Sequence, residues 1–203
     1  MRRAEAHTCY LRSDGNETYQ FRCIGEMDDS KYYDETFYVD TNYIYNEDAG
    51  WSGFTAMCQD NDIIITQDDF DQLKTFVEAA KTKIVESLKR VSKVRDRDLQ
   101  VGDCVFSHYE AETDDICDSD SSSCHKILEI SGNVYKVVNI LDIDPYHLEF
   151  GESIEEYSDD LAEELITNAM LINEIYCVKA NEDAKATRNK LVEMIKTLIN
   201  ANK

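Results

Sequence analysis

The chain has 203 residues with 42 Asp and Glu against 21 Lys and Arg, which gives a formal net charge of −21. An excess of acid this large repels nucleic acid and anionic membranes, so we expect neither direct nucleic-acid binding nor membrane association. Hydrophobic residues at 42% and aromatic residues at 10% are sufficient for a packed core in one large domain or two small ones.

The cysteines and the start of the chain bear on the cellular compartment. The first thirty residues hold no apolar segment behind a basic start, and nowhere do eighteen apolar residues follow one another. Seven cysteines, an odd number at irregular spacing, are typical of thiols in a reducing compartment. We therefore expect a cytoplasmic protein in which all seven cysteines are free.

Strand patterns dominate the chain before residue 66. Asp14-Gly15, a dipeptide typical of two-residue hairpin loops, separates strand-like segments at 9–12 and 17–21. This loop sets Arg12 opposite Glu17, which is a favourable cross-strand pair. Tyr, Val, Thr and Ile are enriched in three further segments, which predicts strands at Thr36–Val39, Tyr43–Tyr45 and Ile63–Ile65.

A long amphipathic helix is predicted over residues 67–92. Thr66 is its N-cap candidate, and aspartates follow in the first turn, where the helix dipole favours anions. Apolar residues recur on one face, at Phe70, Leu73, Val77, Ala80, Ile84, Leu88 and Val91. Basic residues at its end are expected to pair with acidic segments, the alternative being a phosphate-binding patch; they are Lys89, Arg90, Lys93, Arg95 and Arg97.

The second half opens on Gly102-Asp103, a turn that leads directly into an apolar strand. A long polar loop over residues 110–124 follows, and the order of elements is typical of a small SH3-like barrel. The loop carries many acids and few apolar residues, so we expect it to be mobile and sensitive to proteases.

A second hairpin is predicted around Gly132-Asn133, between strands at 126–130 and 134–141. With these two residues as the loop, Glu129 faces Lys136 on the neighbouring strand. The same register places Ile127 opposite Val138, so both pairs can be compared with the structure.

Two further helices are predicted after Pro145, over residues 153–173 and 182–200, with a strand at Ile175–Val178 between them. Asn181 is the predicted cap of the last helix. The fold class is therefore α+β, with antiparallel hairpin-rich sheets and three helices at about 67–92, 153–173 and 182–200. We divide the chain into a strand-rich half, 1–95, and a hairpin or barrel-like half, 96–203, which could also form one continuous domain.

Motifs for catalysis or metal binding are incomplete. The sequence holds no phosphate-binding glycine loop, dinucleotide fingerprint, nucleophile elbow or paired-histidine zinc helix. A zinc set would use Cys104, His108, Cys117, Cys124 and His125, whose spacing is irregular. A calcium loop would use Asp118, Asp120, Ser122 and Glu129, but it lacks the glycine required for its sharp turn. We therefore expect no metal, no cofactor and no catalytic residue.

Three acid-rich segments form the candidate partner-binding surface. Carboxylates accept paired hydrogen bonds from arginine as phosphates do, and aromatic rings stack on guanidinium groups as bases do. The alternative for the first segment is a sheet with inward tyrosines and solvated acids. The candidate residues are Asp28, Asp29, Tyr32, Tyr33, Asp34, Glu35, Trp51, Glu110, Glu112, Asp114, Asp115, Asp118, Asp120, Glu152, Glu155, Glu156, Asp159, Asp160, Glu163 and Glu164.

These features predict a non-enzymatic acidic protein that occupies a basic, nucleic-acid-binding surface of another protein. Phage-encoded DNA-mimic inhibitors, such as anti-CRISPR and other anti-defence proteins, act in this way. The first alternative is a structural or assembly component of a virion or other complex, in which the charge only coats the surface. The second is a hydrolase that uses clustered carboxylates and a divalent cation.

Overall fold

The computed structural model describes residues 7–27, 31–48, 62–110, 120–158 and 167–203. These ranges contain two helices, α1 (Gln67–Val91) and α2 (Glu174–Ala201). They also contain eleven strands: β1 (His7–Ser13), β2 (Tyr19–Met27), β3 (Lys31–Val39), β4 (Tyr43–Asp48), β5 (Ile63–Ile65), β6 (Lys93–Val94), β7 (Cys104–Tyr109), β8 (Ser121–Ser131), β9 (Val134–Ile143), β10 (His147–Ser158) and β11 (Ala169–Ile172). The predicted α+β class is confirmed.

The chain divides into two compact units, residues 1–79 with 187–203 and residues 80–186. Every strand pairing within each unit is antiparallel. Neither described helix is long and apolar enough to cross a membrane.

The core of the first unit forms where α1 packs on a five-stranded sheet of order β5-β1-β2-β3-β4. Phe21 of β2 stacks on Phe37 of β3, with ring centroids 4.6 Å apart. Phe70 of α1 meets both rings edge-on, at 5.6 and 6.0 Å. Aromatic contacts of this geometry each add about 0.5–1.5 kcal/mol to the stabilisation from burial. The predicted apolar face of α1 is confirmed at its buried positions: Phe70, Leu73, Val77, Ile84 and Leu88.

The start of α1 is capped as predicted. The Asp69 backbone N–H donates to the Thr66 hydroxyl at 3.1 Å, and the Thr66 N–H donates to the Asp69 carboxylate at 3.2 Å. This reciprocal pair satisfies two groups at a helix terminus, where backbone donors have no partner within the helix.

The first predicted hairpin has the wrong register. Ser13 lies opposite Tyr19, and Arg12 lies opposite Gln20 rather than Glu17, because the loop spans residues 14–18. The Asp14 carboxylate accepts the N–H groups of residues 16 and 18, and this Asx turn lengthens the loop beyond two residues.

A salt bridge inside the first unit joins Arg22 of β2 to Asp34 of β3. Arg22 is 8% exposed and Asp34 is 4% exposed. The guanidinium donates two hydrogen bonds to the carboxylate and a third, at 3.2 Å, to the Tyr10 hydroxyl. Both charges are therefore removed from water and depend on each other.

We predict that Arg22→Met lowers the free energy of unfolding by about 3–5 kcal/mol, because Asp34 is left buried without its cation. The matched control is Arg90→Met, which breaks the exposed pair with Glu86 and should cost less than about 1 kcal/mol. Urea unfolding at neutral pH measures both values. The double variant Arg22→Met with Asp34→Leu should recover most of the loss, and a failure to recover would contradict the charge explanation.

The predicted set of seven free thiols is not what the structure holds. Cys9 of β1 lies opposite Cys23 of β2, and their sulfur atoms form a disulfide bond. Among the described residues the free cysteines are Cys104, Cys124 and Cys177, all buried. The remaining two, Cys58 and Cys117, lie outside the described residues.

This pairing predicts that Cys9 and Cys23 of freshly purified protein, denatured and alkylated without reductant, are alkylated only after reduction. Intact mass spectrometry before and after reduction measures the number of cysteines gained. The variant Cys9→Ala with Cys23→Ala should gain two fewer alkylated cysteines on reduction than the wild type. Seven alkylated cysteines in the unreduced wild-type protein would contradict the disulfide.

The second unit contains a six-stranded sheet of order β10-β9-β8-β7-β11-β6. Strands β6 and β10 do not pair with each other, so the described sheet is open and the predicted SH3-like barrel is not formed. The expected turn before β7 is present, with Gly102 at a φ of 90°. On one face of the sheet, Val105, Ile127, Val137 and Ala169 form a buried apolar cluster.

The second predicted hairpin is largely confirmed. Ser131 lies opposite Val134 around Gly132-Asn133, and Glu129 lies opposite Lys136 as predicted. Ile127 faces Val137 rather than Val138, because a bulge between Ile127 and Glu129 shifts the register by one residue. The predicted loop at 110–124 is wrong at its end, since residues 121–124 pair with β7 as the start of β8.

The predicted helix at 153–173 is wrong at residues 153–158 and 169–172. Residues 153–158 continue β10 in register with β9, and residues 169–172 form β11 beside β7. Hydrogen bonding to neighbouring strands overrides the helical pattern of this acidic segment. Its central residues, 159–166, lie outside the described residues.

Helix α2 includes the predicted helix at 182–200 but begins at residue 174, so the predicted strand at Ile175–Val178 is helical. Asn173 caps it by accepting the N–H of Ile175 at 3.0 Å. Asn181 is not a cap. Its amide accepts from the Gly151 N–H and donates to the Gly151 carbonyl, at 3.2 and 3.1 Å, within a β10 bulge.

Candidate functional site

A cavity of about 360 Å³ in the second unit brings together three of the four histidines of the chain, His108, His125 and His147. Ser122, Ser123, Asp142, Asp144 and Tyr157 also line it. Cavities of this size with several convergent polar groups are the usual place for ligands in proteins. We therefore treat it as the candidate functional site.

The β9–β10 hairpin positions the acidic side of the cavity. Asp142 of β9 lies directly opposite Glu149 of β10. His147 precedes Glu149 by two residues on the same strand, so alternation places all three on one face of the sheet. The side-chain donor atoms of Asp142, His147 and Glu149 lie within 4.8 Å of one another, a group that could hold a metal ion.

The turn of this hairpin orients His147. The Asp144 carboxylate accepts the backbone N–H groups of Tyr146 and His147, at 2.6 and 2.7 Å. Its second oxygen is in contact with the Nδ1 atom of His147. The hydrogen bond to Asp144 raises the pKa of His147 above its usual value, although partial burial opposes the shift.

Asp142 is held by a neighbouring amide. Asn139, which is 4% exposed, donates from Nδ2 to Asp142 Oδ2 at 2.5 Å and to Glu155 Oε1 at 3.2 Å. Burial raises the pKa of Asp142, and the hydrogen bond from Asn139 only partly offsets that increase.

A second polar chain crosses the cavity wall from His125 through Tyr157 to Glu155. The single hydroxyl proton of Tyr157 is donated to Glu155, so the His125 Nε2 atom, 3.3 Å from that hydroxyl, donates to it. His125 is 4% exposed, and burial lowers its pKa to about 4, with Glu155 opposing the shift. His125 is therefore a neutral side chain at pH 7.

His108 and Ser122 meet at the third side of the cavity, where the His108 Nδ1 atom lies 2.7 Å from the Ser122 hydroxyl. The His108 Nε2 atom lies 3.3 Å from Glu110, which also pairs with Lys89 at 3.3 Å. The predicted pairing of the basic end of α1 with an acidic segment is confirmed at Lys89.

The predicted partner-binding residues whose side chains are described differ in burial. Asp34 and Glu35 are buried, and they pair with Arg22 and Lys74. Glu155 is half-buried and accepts hydrogen bonds from neighbouring side chains. Glu110, Asp120, Glu152 and Glu156 are exposed.

Tyr32 and Tyr33 lie on β3, opposite Glu26 and Gly25 of β2. Nothing is described of the side chains of Tyr32 and Tyr33. The other predicted partner-binding residues lie outside the described residues: Asp28, Asp29, Trp51, Glu112, Asp114, Asp115, Asp118, Asp159, Asp160, Glu163 and Glu164.

Neither metal set considered from the sequence is assembled in the described part of the chain. Ser122 is buried in β8 and is bonded to His108, so it is not part of a calcium loop. Cys104 of β7 lies opposite Lys126 of β8. Because successive residues of a strand lie on opposite faces of the sheet, His125 is on the other face from Cys104. Cys117 lies outside the described residues.

Comparison of the chain with protein-family models, with curated proteins and with solved structures found no match.

The β9–β10 hairpin beside the cavity has a sequence pattern that differs from the motifs considered above. Asp142, Asp144, His147 and Glu149 follow Asp-x-Asp-Pro-x-His-x-Glu, with Pro145 inside the pattern. Proline after an aspartate predicts a turn, and alternation on either side predicts a shared face. His125 and Tyr157 could not be found in this way, because they meet only through strand pairing.

The buried neutral His125 predicts a pH-dependent stability. The unfolded chain protonates this histidine near pH 6.5, whereas the folded chain does so near pH 4. Acid therefore favours unfolding, and about 3 kcal/mol of stability should be lost as the pH falls through this window. The variant His125→Gln should lose correspondingly less.

Urea unfolding at several pH values between 4 and 7 measures this difference. Tyr157→Phe is the matched control, because it removes the hydrogen bond and leaves His125 buried, so its pH slope should stay close to that of the wild type. Equal slopes for wild type and His125→Gln would contradict the prediction.

Proposed function

We propose that this chain is a non-enzymatic acidic protein that binds a basic, nucleic-acid-binding surface of another protein. The observation that carries the proposal is where the counter-charges of the chain lie. Several basic side chains neutralise inward-facing carboxylates, so the excess of negative charge is left for the surface.

Three ion pairs in the first unit support this reading. Arg12, Arg22 and Lys74 pair with carboxylates whose side chains are 1%, 3% and 8% exposed. These carboxylates belong to Asp62, Asp34 and Glu35. Because these cations are committed to inward-facing acids, they do not dilute the negative potential of exposed ones.

The second unit supplies the exposed acids. Glu152 and Glu156 of β10 are exposed, and so are Glu110 and Asp120, which flank the segment 111–119. The sequences of segments 111–119 and 159–166, which lie outside the described residues, contain eight acidic residues and no Lys or Arg. Carboxylates grouped in this way can accept the hydrogen bonds that arginine forks otherwise donate to phosphates.

If the protein is instead an assembly component, its contact with a partner is apolar rather than charged. Association through an apolar contact changes little with salt, whereas charge-driven association weakens steeply as salt increases. The exposed apolar side chains on α2 are Ile175, Tyr176 and Val178, and these are the residues that the alternative would use.

We predict that reversing Glu152, Glu156, Asp159 and Asp160 to Lys lowers the affinity for an arginine-rich, DNA-binding peptide by more than tenfold. Slower association should account for most of the loss, because long-range attraction governs the encounter. Glu155 is left unchanged, since its carboxylate accepts hydrogen bonds from Tyr157 and Asn139. Fluorescence anisotropy over a salt series provides the affinities.

The matched control reverses four exposed acids of the helices, Glu78, Glu86, Glu182 and Glu193, and so changes the net charge equally. The proposal requires this control to bind more tightly than the variant in which Glu152, Glu156, Asp159 and Asp160 are reversed. Duplex DNA should compete with the wild-type protein for the peptide. Equal affinities for the wild type and that variant, with an unchanged salt slope, would favour the assembly component.

A further inference from the structure

We propose that Asp142, His147 and Glu149 bind one divalent first-row transition-metal ion beside the cavity, which Asp142 and His147 line. This site is distinct from the proposed acidic surface and does not depend on it. The donor set combines one imidazole nitrogen with two carboxylate oxygens on one hairpin.

The backbone brings the three donors together. Asp142 and Glu149 are direct partners across β9 and β10, and His147 lies two positions before Glu149. Their donor atoms lie within 4.8 Å of one another. Ligands at about 2.0–2.2 Å from one ion are separated by roughly 3–4 Å, so a small side-chain adjustment completes the site.

The orienting contacts that metal ligands require are already present. Asp144 holds the Nδ1 atom of His147, which leaves Nε2 as the donor for a metal. Asn139 holds Oδ2 of Asp142, which leaves Oδ1 for the same purpose. A carboxylate that fixes the second nitrogen of a histidine is the usual support of a metal-bound imidazole.

Electrostatics favour a cation at this position. Asp142 and Glu149 are like charges directly opposite each other, an arrangement that destabilises a strand pair. No Lys or Arg of the described residues forms an ion pair with either carboxylate. A bound cation would remove this repulsion and compensate the burial of Asp142.

The ligand types select the class of metal. Imidazole binds zinc and other transition metals, whereas magnesium and calcium prefer sites made only of oxygen ligands. We therefore expect Zn²⁺ and Mn²⁺ to bind more tightly than Mg²⁺ and Ca²⁺. Three protein ligands leave at least one coordination position open toward the cavity, for water or a small ligand.

The experiment uses the 203-residue chain after dialysis against a chelator. Isothermal titration calorimetry with Zn²⁺ should give a stoichiometry of one ion per chain. The decrease in the electron paramagnetic resonance signal of free Mn²⁺ should give the same stoichiometry. His147→Gln and Asp142→Asn should each weaken binding by at least tenfold. Asp144→Asn, which alters a positioning residue, should weaken it by about 10–100-fold and shift the pH dependence of binding.

Two matched controls isolate the site. His108→Gln removes another histidine from the same cavity, and Glu152→Gln removes an exposed carboxylate from the same strand; neither should change the affinity. Circular dichroism of each metal-free variant checks the fold. Glu149→Gln should weaken binding without unfolding the protein, because this side chain is exposed and should not be needed for the fold.

Three results would overturn the proposal. The first is wild-type protein that binds neither Zn²⁺ nor Mn²⁺ below millimolar concentrations. The second is equal affinity for Zn²⁺ and Ca²⁺, which indicates diffuse binding to acids. The third is unchanged binding in folded His147→Gln, which places the ion elsewhere.

Discussion

Burial of negative charge is the constraint on which this structure depends. Removing a carboxylate from water is costly unless a cation or several hydrogen bonds compensate it. In the first unit, Asp34, Glu35 and Asp62 each meet Arg or Lys. In the second unit, Asp142 has a neutral amide from Asn139 and the nearby His147 instead. The two units therefore compensate buried carboxylates in different ways. In the second unit no Lys or Arg of the described residues pairs with Asp142, so an external cation could bind there.

Local chemistry predicted the elements whose contacts are local. Helix α1 was predictable because Thr66, the aspartates and the apolar repeat agree with one another. The turn at Gly132-Asn133 was predictable because a two-residue loop fixes its own register near the turn. Further along the same hairpin, a bulge moved the pairing of Ile127 by one residue. Bulges depend on the neighbouring strand, so the hairpin sequence alone did not specify this one.

The features that the sequence did not predict depend on contacts between residues that are far apart in the chain. Residues 153–158 have an acid-rich pattern typical of a helix start, yet β9 pairs with them as β10. Asn181 was predicted as a helix cap, but its side-chain amide forms two hydrogen bonds with the backbone of Gly151, thirty residues away in sequence. The cavity follows from these choices, because a helical 153–158 would not place Tyr157 beside His125. Much of the predicted acidic surface lies outside the described residues. The proximity of Asp142, His147 and Glu149 depends on the register of β9 and β10, which the sequence analysis assigned to a strand followed by a helix.

The acidic residues of this chain thus fall into groups that differ in how their charge affects the stability of the fold. An exposed carboxylate such as Glu152 or Glu156 is solvated in the folded and the unfolded chain alike, so folding places little demand on it. Its charge can therefore serve a partner without weakening the fold. Asp142 and Glu149 face each other, and their repulsion acts against the hairpin that carries them. A cation bound between them would remove that repulsion, so the proposed acidic surface and the proposed site of Asp142, His147 and Glu149 would use the same residue type for different physical purposes.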